Sequence, residues 1–217
     1  MTLAIVSAFL TGYLLGSVPF SYLAGRLRGV DLRRHGSGNL GASNAYRVLG
    51  AGAGISVLAL DVVKGTAAVL LAGCMASRAG VDAAEWLKGA AALGAVSGHV
   101  WTVFLRFRGG KGVATAAGAF LGLAPLATLI AVAVWLVLVA ATRIVSVGSM
   151  AGALALPISV YFVGRRGDSI PGSSLGPSFW LALAAAVVVL TRHRSNIRRL
   201  VEGNENRLTR VRKGSPS

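Results

Sequence analysis

Long apolar runs alternate with short polar gaps along this chain, and the gaps are of two kinds. Apolar residues dominate 3–24, 48–76, 86–105, 113–142, 147–163 and 178–191. Most of these reach or exceed the roughly 20 residues that a helix needs to cross a bilayer. One kind of gap is rich in arginine and lysine: Arg26 to Arg47, Arg106 to Lys111, Arg143, and the segment from Arg192 onward. The other is neutral, as at 77–88, where Arg78, Asp82, Glu85 and Lys88 cancel, or Gly/Pro/Ser-rich, as at 164–177. Basic loops stay on the cytoplasmic side. The pattern therefore predicts an all-α integral membrane protein with its N-terminus outside, its C-terminus cytoplasmic and an odd number of crossings. Pro19 should kink the first run, and a break near Pro125 should divide 113–142 into two helices.

Composition agrees. Of 217 residues 54% are apolar and 13% charged, too apolar and too poor in charge for a soluble domain of this length. The formal charge of +15 sits in the gaps and the tail, which marks topology and anionic partners, including membrane lipids, and not a nucleic-acid-reading face. Cys74 is the single cysteine, so a disulfide framework is excluded, and no cluster of metal ligands stands out. The expected cofactor list is empty and the expected metal site is none. Residues 1–207 read as one polytopic domain and 208–217 as a basic, disordered tail.

The chemistry-bearing residues lie in the basic gaps. Gly109, Gly110, Lys111 and Gly112 form a tight turn whose backbone N–H groups and single ammonium make a phosphate cradle. It is not a P-loop, because Leu105 occupies the position of the first glycine and neither Ser nor Thr follows the lysine. The first loop, from Gly36 to Arg47, sets Ser37, Asn39 and Asn44 among glycines, a donor-rich lining for an oxyanion or polyol. Ser146 and Ser149 follow Arg143 at helical spacing. His193 and Asn196 share a helical face in the tail, where Gly203 is placed to end the helix. Asp61 and Lys64, three apart within an apolar run, are expected to form a structural ion pair. His99 is expected to be a packed, hydrogen-bonded histidine. All four polar segments fall on one membrane face, which points to an anionic, phosphorylated and amphiphilic ligand.

These motifs, in this order, resemble the bacterial acyl-phosphate:glycerol-3-phosphate acyltransferases of the PlsY family. The resemblance rests on GSVPFSY at 16–22, GSGNLGASNAYR at 36–47, DVVKG at 61–65, GHVWTVFLRFRGGKGVAT at 98–115, RIVSVGS at 143–149 and RHRSNIRRLVEGNE at 192–205. It implies about seven transmembrane helices in the bacterial inner membrane with the active site toward the cytoplasm. It also implies transfer of a fatty acyl group from acyl phosphate to the sn-1 hydroxyl of glycerol 3-phosphate, giving lysophosphatidic acid and inorganic phosphate in phospholipid synthesis. A soluble acyl-phosphate synthase is the implied metabolic partner. The matching positions carry over as site residues: Ser37, Arg47, Lys111, Ser149 with Ser146 beside it, His193 and Asn196, with Glu205 structural.

An acyl phosphate is an activated mixed anhydride, so the chemistry needs no covalent acyl-enzyme; holding two phosphates and aligning a hydroxyl suffices. The histidine-x4-aspartate motif of other glycerol-phosphate acyltransferases is missing, since Leu40, Phe104 and Arg198 stand five residues after the three histidines. The proton acceptor is then His193 or the substrate phosphate, whose second pKa lies near about 6. An organophosphate transporter is the alternative, but it should carry its polar groups at mid-membrane and show an internal repeat.

Overall fold

The computed structural model describes residues 1–78, 84–167 and 176–208. The tips of both neutral or Gly/Pro/Ser-rich loops and tail residues 209–217 lie outside the described residues. Among the described residues ten α-helices follow in order: α1 Thr2–Ser17, α2 Phe20–Arg26, α3 Ala42–Leu49, α4 Ala51–Arg78, α5 Ala84–Val100, α6 Val113–Leu123, α7 Pro125–Thr142, α8 Val145–Gly167, α9 Pro177–Arg192 and α10 Arg194–Val201. A single 3-10 turn, Val103–Leu105, lies between α5 and α6.

Among the described residues four stretches are long and apolar enough to cross a membrane: Thr2–Arg26, Ala51–Ser77, Pro125–Thr142 and Val145–Gly164. Val113–Leu123 and Pro177–Arg192 are shorter apolar helices. Large apolar side chains such as Leu3, Leu70, Leu129 and Phe162 point outward, as a lipid-facing surface requires. Alanines fill much of the interior, with Phe120, Leu32 and Leu87 as its largest buried side chains. Ala8, Ala68, Ala72, Ala91 and Ala95 form one fully buried cluster.

Small residues let backbones approach, and this fixes the register of two helix pairs. A methyl at Gly12 or Gly16 of α1 would overlap the backbone of Ala91 or Ala95 of α5; one at Gly94 or Gly98 would overlap α1 at Phe9 or Tyr13. Residue numbers rise together along both helices, so α1 and α5 are parallel. Gly118 of α6 presses on Val62 and Gly122 on Val69 of α4, and Thr66 Oγ1 donates to Gly118 O at 2.8 Å. These two helices are also parallel.

Two helix breaks fall at prolines, while Pro157 lies inside α8. Pro19 separates α1 from α2, leaving a full break where a kink was expected, and Pro125 takes the first position of α7. The sequence places residues up to Arg47 in the first loop and starts the next apolar run at Val48, whereas Ala42–Leu49 form α3 and the following helix starts at Ala51. Helix α3 starts after extended Gly41 and stops at Gly50, whose φ of 90° continues no helix. The run 86–105 also ends earlier than expected, at Val100: Thr102 takes extended backbone with ψ of 126°, and after the turn Val103–Leu105 the chain reverses through left-handed Arg106 and Phe107, φ 52° and 61°.

Candidate active site

A cavity of about 490 Å³ opens at the end of the bundle where the basic segments meet and runs inward between α4, α6, α7, α8 and α9. Ser37 and Asn39 reach it from the first loop, Arg47 from α3, and Lys111 and Gly112 from the glycine turn. Ser146 and Ser149 face it from the first turns of α8, and His193, Asn196 and Glu205 from the tail. Asp61 lines it as well. Gly109, Gly110 and Lys64 do not; they surround a smaller void behind the turn. Deeper in, the wall becomes apolar: Val132, Trp135, Leu156 and Val189.

The first loop is shaped by one buried side chain. Asn44 Oδ1 accepts the Ser37 N–H at 2.8 Å, while Nδ2 donates to Leu32 O at 3.2 Å and His35 O at 3.1 Å. Three turns of loop backbone are thus gathered on one amide, which holds Ser37 at the cavity mouth. One helical turn beyond Asn44, Arg47 is half-buried and its Nε finds no partner among the described residues. Burial lowers this guanidinium from its ordinary value and Glu205 opposes the shift; arginine remains charged.

The glycine turn caps α5. Gly109 N–H donates to Val100 O and Gly110 N–H to His99 O, both at 3.0 Å, which satisfies carbonyls that a helix end leaves open. Gly112, with φ of 84°, turns the chain into α6. Lys111 is thereby carried to the tail, where Nζ donates to Asn196 Oδ1 at 2.5 Å.

The tail is organised by Glu205. Its Oε1 accepts from Asn196 Nδ2 at 2.6 Å and Ser146 Oγ at 3.0 Å, and its Oε2 accepts from Arg199 Nε at 2.8 Å. Just past the end of α10, Gly203 takes φ of 71° and folds the chain back. Leu208, at the start of the expected tail, donates its N–H to Arg143 O at 2.7 Å.

Charge in this mouth is unbalanced. Lys111 lies within reach of Arg47, Arg192 and Arg199, with Glu205 as the opposing acid. Burial pushes the Lys111 ammonium down to about 8; Glu205 resists and the three arginines add to the shift. At Glu205 burial favours the neutral acid, but the bonds from Asn196, Arg199 and Ser146 outweigh it and hold the carboxyl below its ordinary range. His193 is buried, and burial followed by the Lys111 charge pushes its imidazole down to about 4. Its Nδ1 lies 2.7 Å from Val189 O, so Nδ1 carries the proton and Nε2 is an acceptor in the neutral ring. An arrangement of excess cations, backbone amides and neutral polar groups stabilises a phosphate dianion and developing negative oxygen.

Sequence reasoning missed Asn44 as the loop's organiser, Arg199 as the partner of Glu205, Trp135 in the deep wall and His99 in the cavity lining. No group of three or more His, Cys, Asp or Glu side chains that could hold a metal occurs among the described residues.

Residues 6–203 match the family model of glycerol-3-phosphate acyltransferase. The chain is 46% identical over 195 residues to the glycerol-3-phosphate acyltransferase of Geobacter sulfurreducens, covering 90% of this chain and 93% of that one. It is 44% identical over 211 residues to the enzyme of the same name from Synechococcus elongatus, covering 96% of each. The crystal structure of PlsY, an integral membrane glycerol 3-phosphate acyltransferase, in its glycerol 3-phosphate form superposes with a TM-score of 0.80 at 34% identity over 94% of this chain and 96% of that one. The lysophosphatidic acid form gives 0.77 at 33% identity, over 94% and 95%. The chain belongs to the PlsY family of integral membrane glycerol-3-phosphate acyltransferases.

Proposed function

We propose that this enzyme transfers a fatty acyl group from acyl phosphate to the sn-1 hydroxyl of glycerol 3-phosphate by direct attack. One observation carries the reading: a mouth holding Lys111, Arg47 and Asn196 opens into an apolar shaft of the same cavity. Two phosphates suit the mouth and one acyl chain suits the shaft. Ile55 and Leu58 line the cavity and are also exposed on the outer face of α4, a side opening through which a lipid product can leave into the bilayer.

In the reaction the sn-1 oxygen bonds to the acyl carbonyl carbon, the bond from that carbon to the phosphate oxygen breaks, and inorganic phosphate departs. Lys111 and Arg47 neutralise phosphate charge; the Gly112 backbone, Ser37, Asn39, Ser146 and Ser149 supply further hydrogen bonds, whereas the Gly109 and Gly110 amides are spent on capping α5 and only shape the turn. Asn196 orients the Lys111 ammonium. The hydroxyl proton passes to a substrate phosphate, whose second pKa near about 6 makes it a stronger base than His193. His193 acts as a neutral hydrogen-bonding group.

The chain crosses the bacterial inner membrane about seven times, N-terminus outside, with the site facing the cytoplasm and a soluble acyl-phosphate synthase supplying the donor. The parallel registers of α1 with α5 and of α4 with α6 support this path, since helices separated by one or three crossings in between run the same way. Residues 1–207 form the catalytic domain and 208–217 a basic extension.

Positional analysis of the acylated product and trapping for an acyl-enzyme test the reading. It expects 1-acyl product and no labelled protein; a 2-acyl product or a stable protein-bound acyl group would refute it. Uptake of labelled glycerol 3-phosphate into proteoliposomes without acylation would favour transport instead.

A further inference from the structure

Behind the glycine turn lies a buried charged cluster that the mechanism leaves unused. Asp61 Oδ1 is 2.8 Å from Lys64 Nζ and 3.5 Å from His99 Nδ1, with all three side chains at most 7% exposed. Lys64 also donates to Val18 O at 2.9 Å, at the α1–α2 break, and stands 5.5 Å from the centre of the Phe20 ring. The cluster is therefore anchored to two elements besides its own. The opposite edge of the His99 ring meets the turn. A methyl added at Gly110 would overlap Nε2 of His99, and one added at Gly109 would overlap the His99 carbonyl. The same histidine accepts the Gly110 N–H on its carbonyl at 3.0 Å. Gly110 directly precedes Lys111, whose Nζ reaches Asn196 on α10.

We propose that Asp61 and His99 are positioning residues for acyl transfer, with the imidazole, held by Asp61, forming the seat on which Gly110 rests and so fixing where the Lys111 ammonium meets phosphate. This rests on the proposed function for its kinetic consequences alone; the seating itself is a matter of contact. Neither residue needs to touch substrate. Lys64 neutralises Asp61 and ties the cluster to the end of α1. A buried carboxylate beside Nδ1 favours one ring orientation more than an apolar pocket does, because turning Nδ1 away would leave Lys64 alone to balance the Asp61 oxygen that the two now share. Gly110 is required because any side chain there would displace the ring.

Two measurements on the full-length protein in lipid micelles decide the matter. In steady-state assays, His99→Ala and Asp61→Asn should each raise KM for glycerol 3-phosphate about tenfold while leaving KM for the acyl donor unchanged, the mark of a displaced binding group. His99→Asn, which can keep a donor near Asp61, should recover part of the loss. A purely structural role would lower kcat through a smaller folded fraction and move neither KM, and that result overturns the proposal. The second measurement is thermal unfolding of Gly110→Ala, His99→Ala and the double variant. The double variant should be less destabilised than the sum of the singles, because trimming the ring makes room for the new methyl. Strict additivity would show that the ring is not the seat. If the unsubstituted protein transferred no acyl group, the proposed function would fall, and the unfolding cycle would still decide the contact.

Discussion

The ammonium of Lys111 and the side-chain oxygen of Asn196 are hydrogen-bonded across 85 residues of chain, tying the glycine turn to the tail helix. The bond orients the cation that the first loop and α8 also face. Because burial brings Lys111 down to about 8, its charge is lost within reach of ordinary assay conditions. On the proposed function, kcat/KM for glycerol 3-phosphate should fall as pH rises through about 8, the limb of the free enzyme. Lys111→Arg should shift that limb beyond the accessible range, since a guanidinium does not deprotonate there. A limb that stayed in place would assign it to another group.

Glu205 gathers Ser146, Asn196 and Arg199 on one carboxylate. Glu205→Gln keeps the shape but turns an acceptor into a group that must donate to existing donors. Charge-assisted bonds of this kind contribute about 1.5–3 kcal/mol each, so turnover should drop by roughly tenfold or more with a lower unfolding temperature. Ser146→Ala, which removes one bond, should cost markedly less in both assays.

Asn44 is 1% exposed and makes three bonds to loop backbone. Asn44→Ala should destabilise the fold by about 2 kcal/mol or more, since the Ser37 N–H and two carbonyls lose their partner. Chemical denaturation measures the loss. Hydrogen exchange should show it confined to the first loop and α3.

Much of this site was legible in the sequence, because phosphate chemistry concentrates glycine, lysine, arginine and amides in short segments, and the hydropathy pattern puts those segments on one face. The Gly109–Gly112 turn, Arg47, Ser146 and Asn196 are local signals of that sort. That His99 is packed was legible; its place in the cavity wall beside Asp61 was not. Its partner Asp61 lies on another helix, and the contact depends on how α4 and α5 pack, which no local spacing encodes. The helix α3 was hidden for a related reason: eight residues bounded by Gly41 and Gly50 carry too little periodicity to outweigh their loop-like composition. The α1–α5 register is written in Gly12, Gly16, Gly94 and Gly98, but glycine spacing alone does not say which helix they meet.

On the proposed function, the apolar shaft sets the room available to an acyl chain. Ala153 lines it and is half-buried, so a larger side chain can enter without crushing a closed core. Ala153→Phe should shift preference toward shorter acyl donors while KM for glycerol 3-phosphate stays within about twofold, as expected where one subsite changes and the other does not. Competition between long and short donors in one assay reads this directly.

The central claim is that the basic mouth with Lys111 performs acyl transfer from acyl phosphate. The measurement that tests it most directly is acylation of labelled glycerol 3-phosphate by the purified protein, offered acyl phosphate and acyl-CoA separately, with Lys111→Ala alongside. The account predicts lysophosphatidic acid from acyl phosphate alone, with the rate reduced at least about a hundredfold in the variant. Equal product from acyl-CoA, or an unchanged rate in Lys111→Ala, would contradict it.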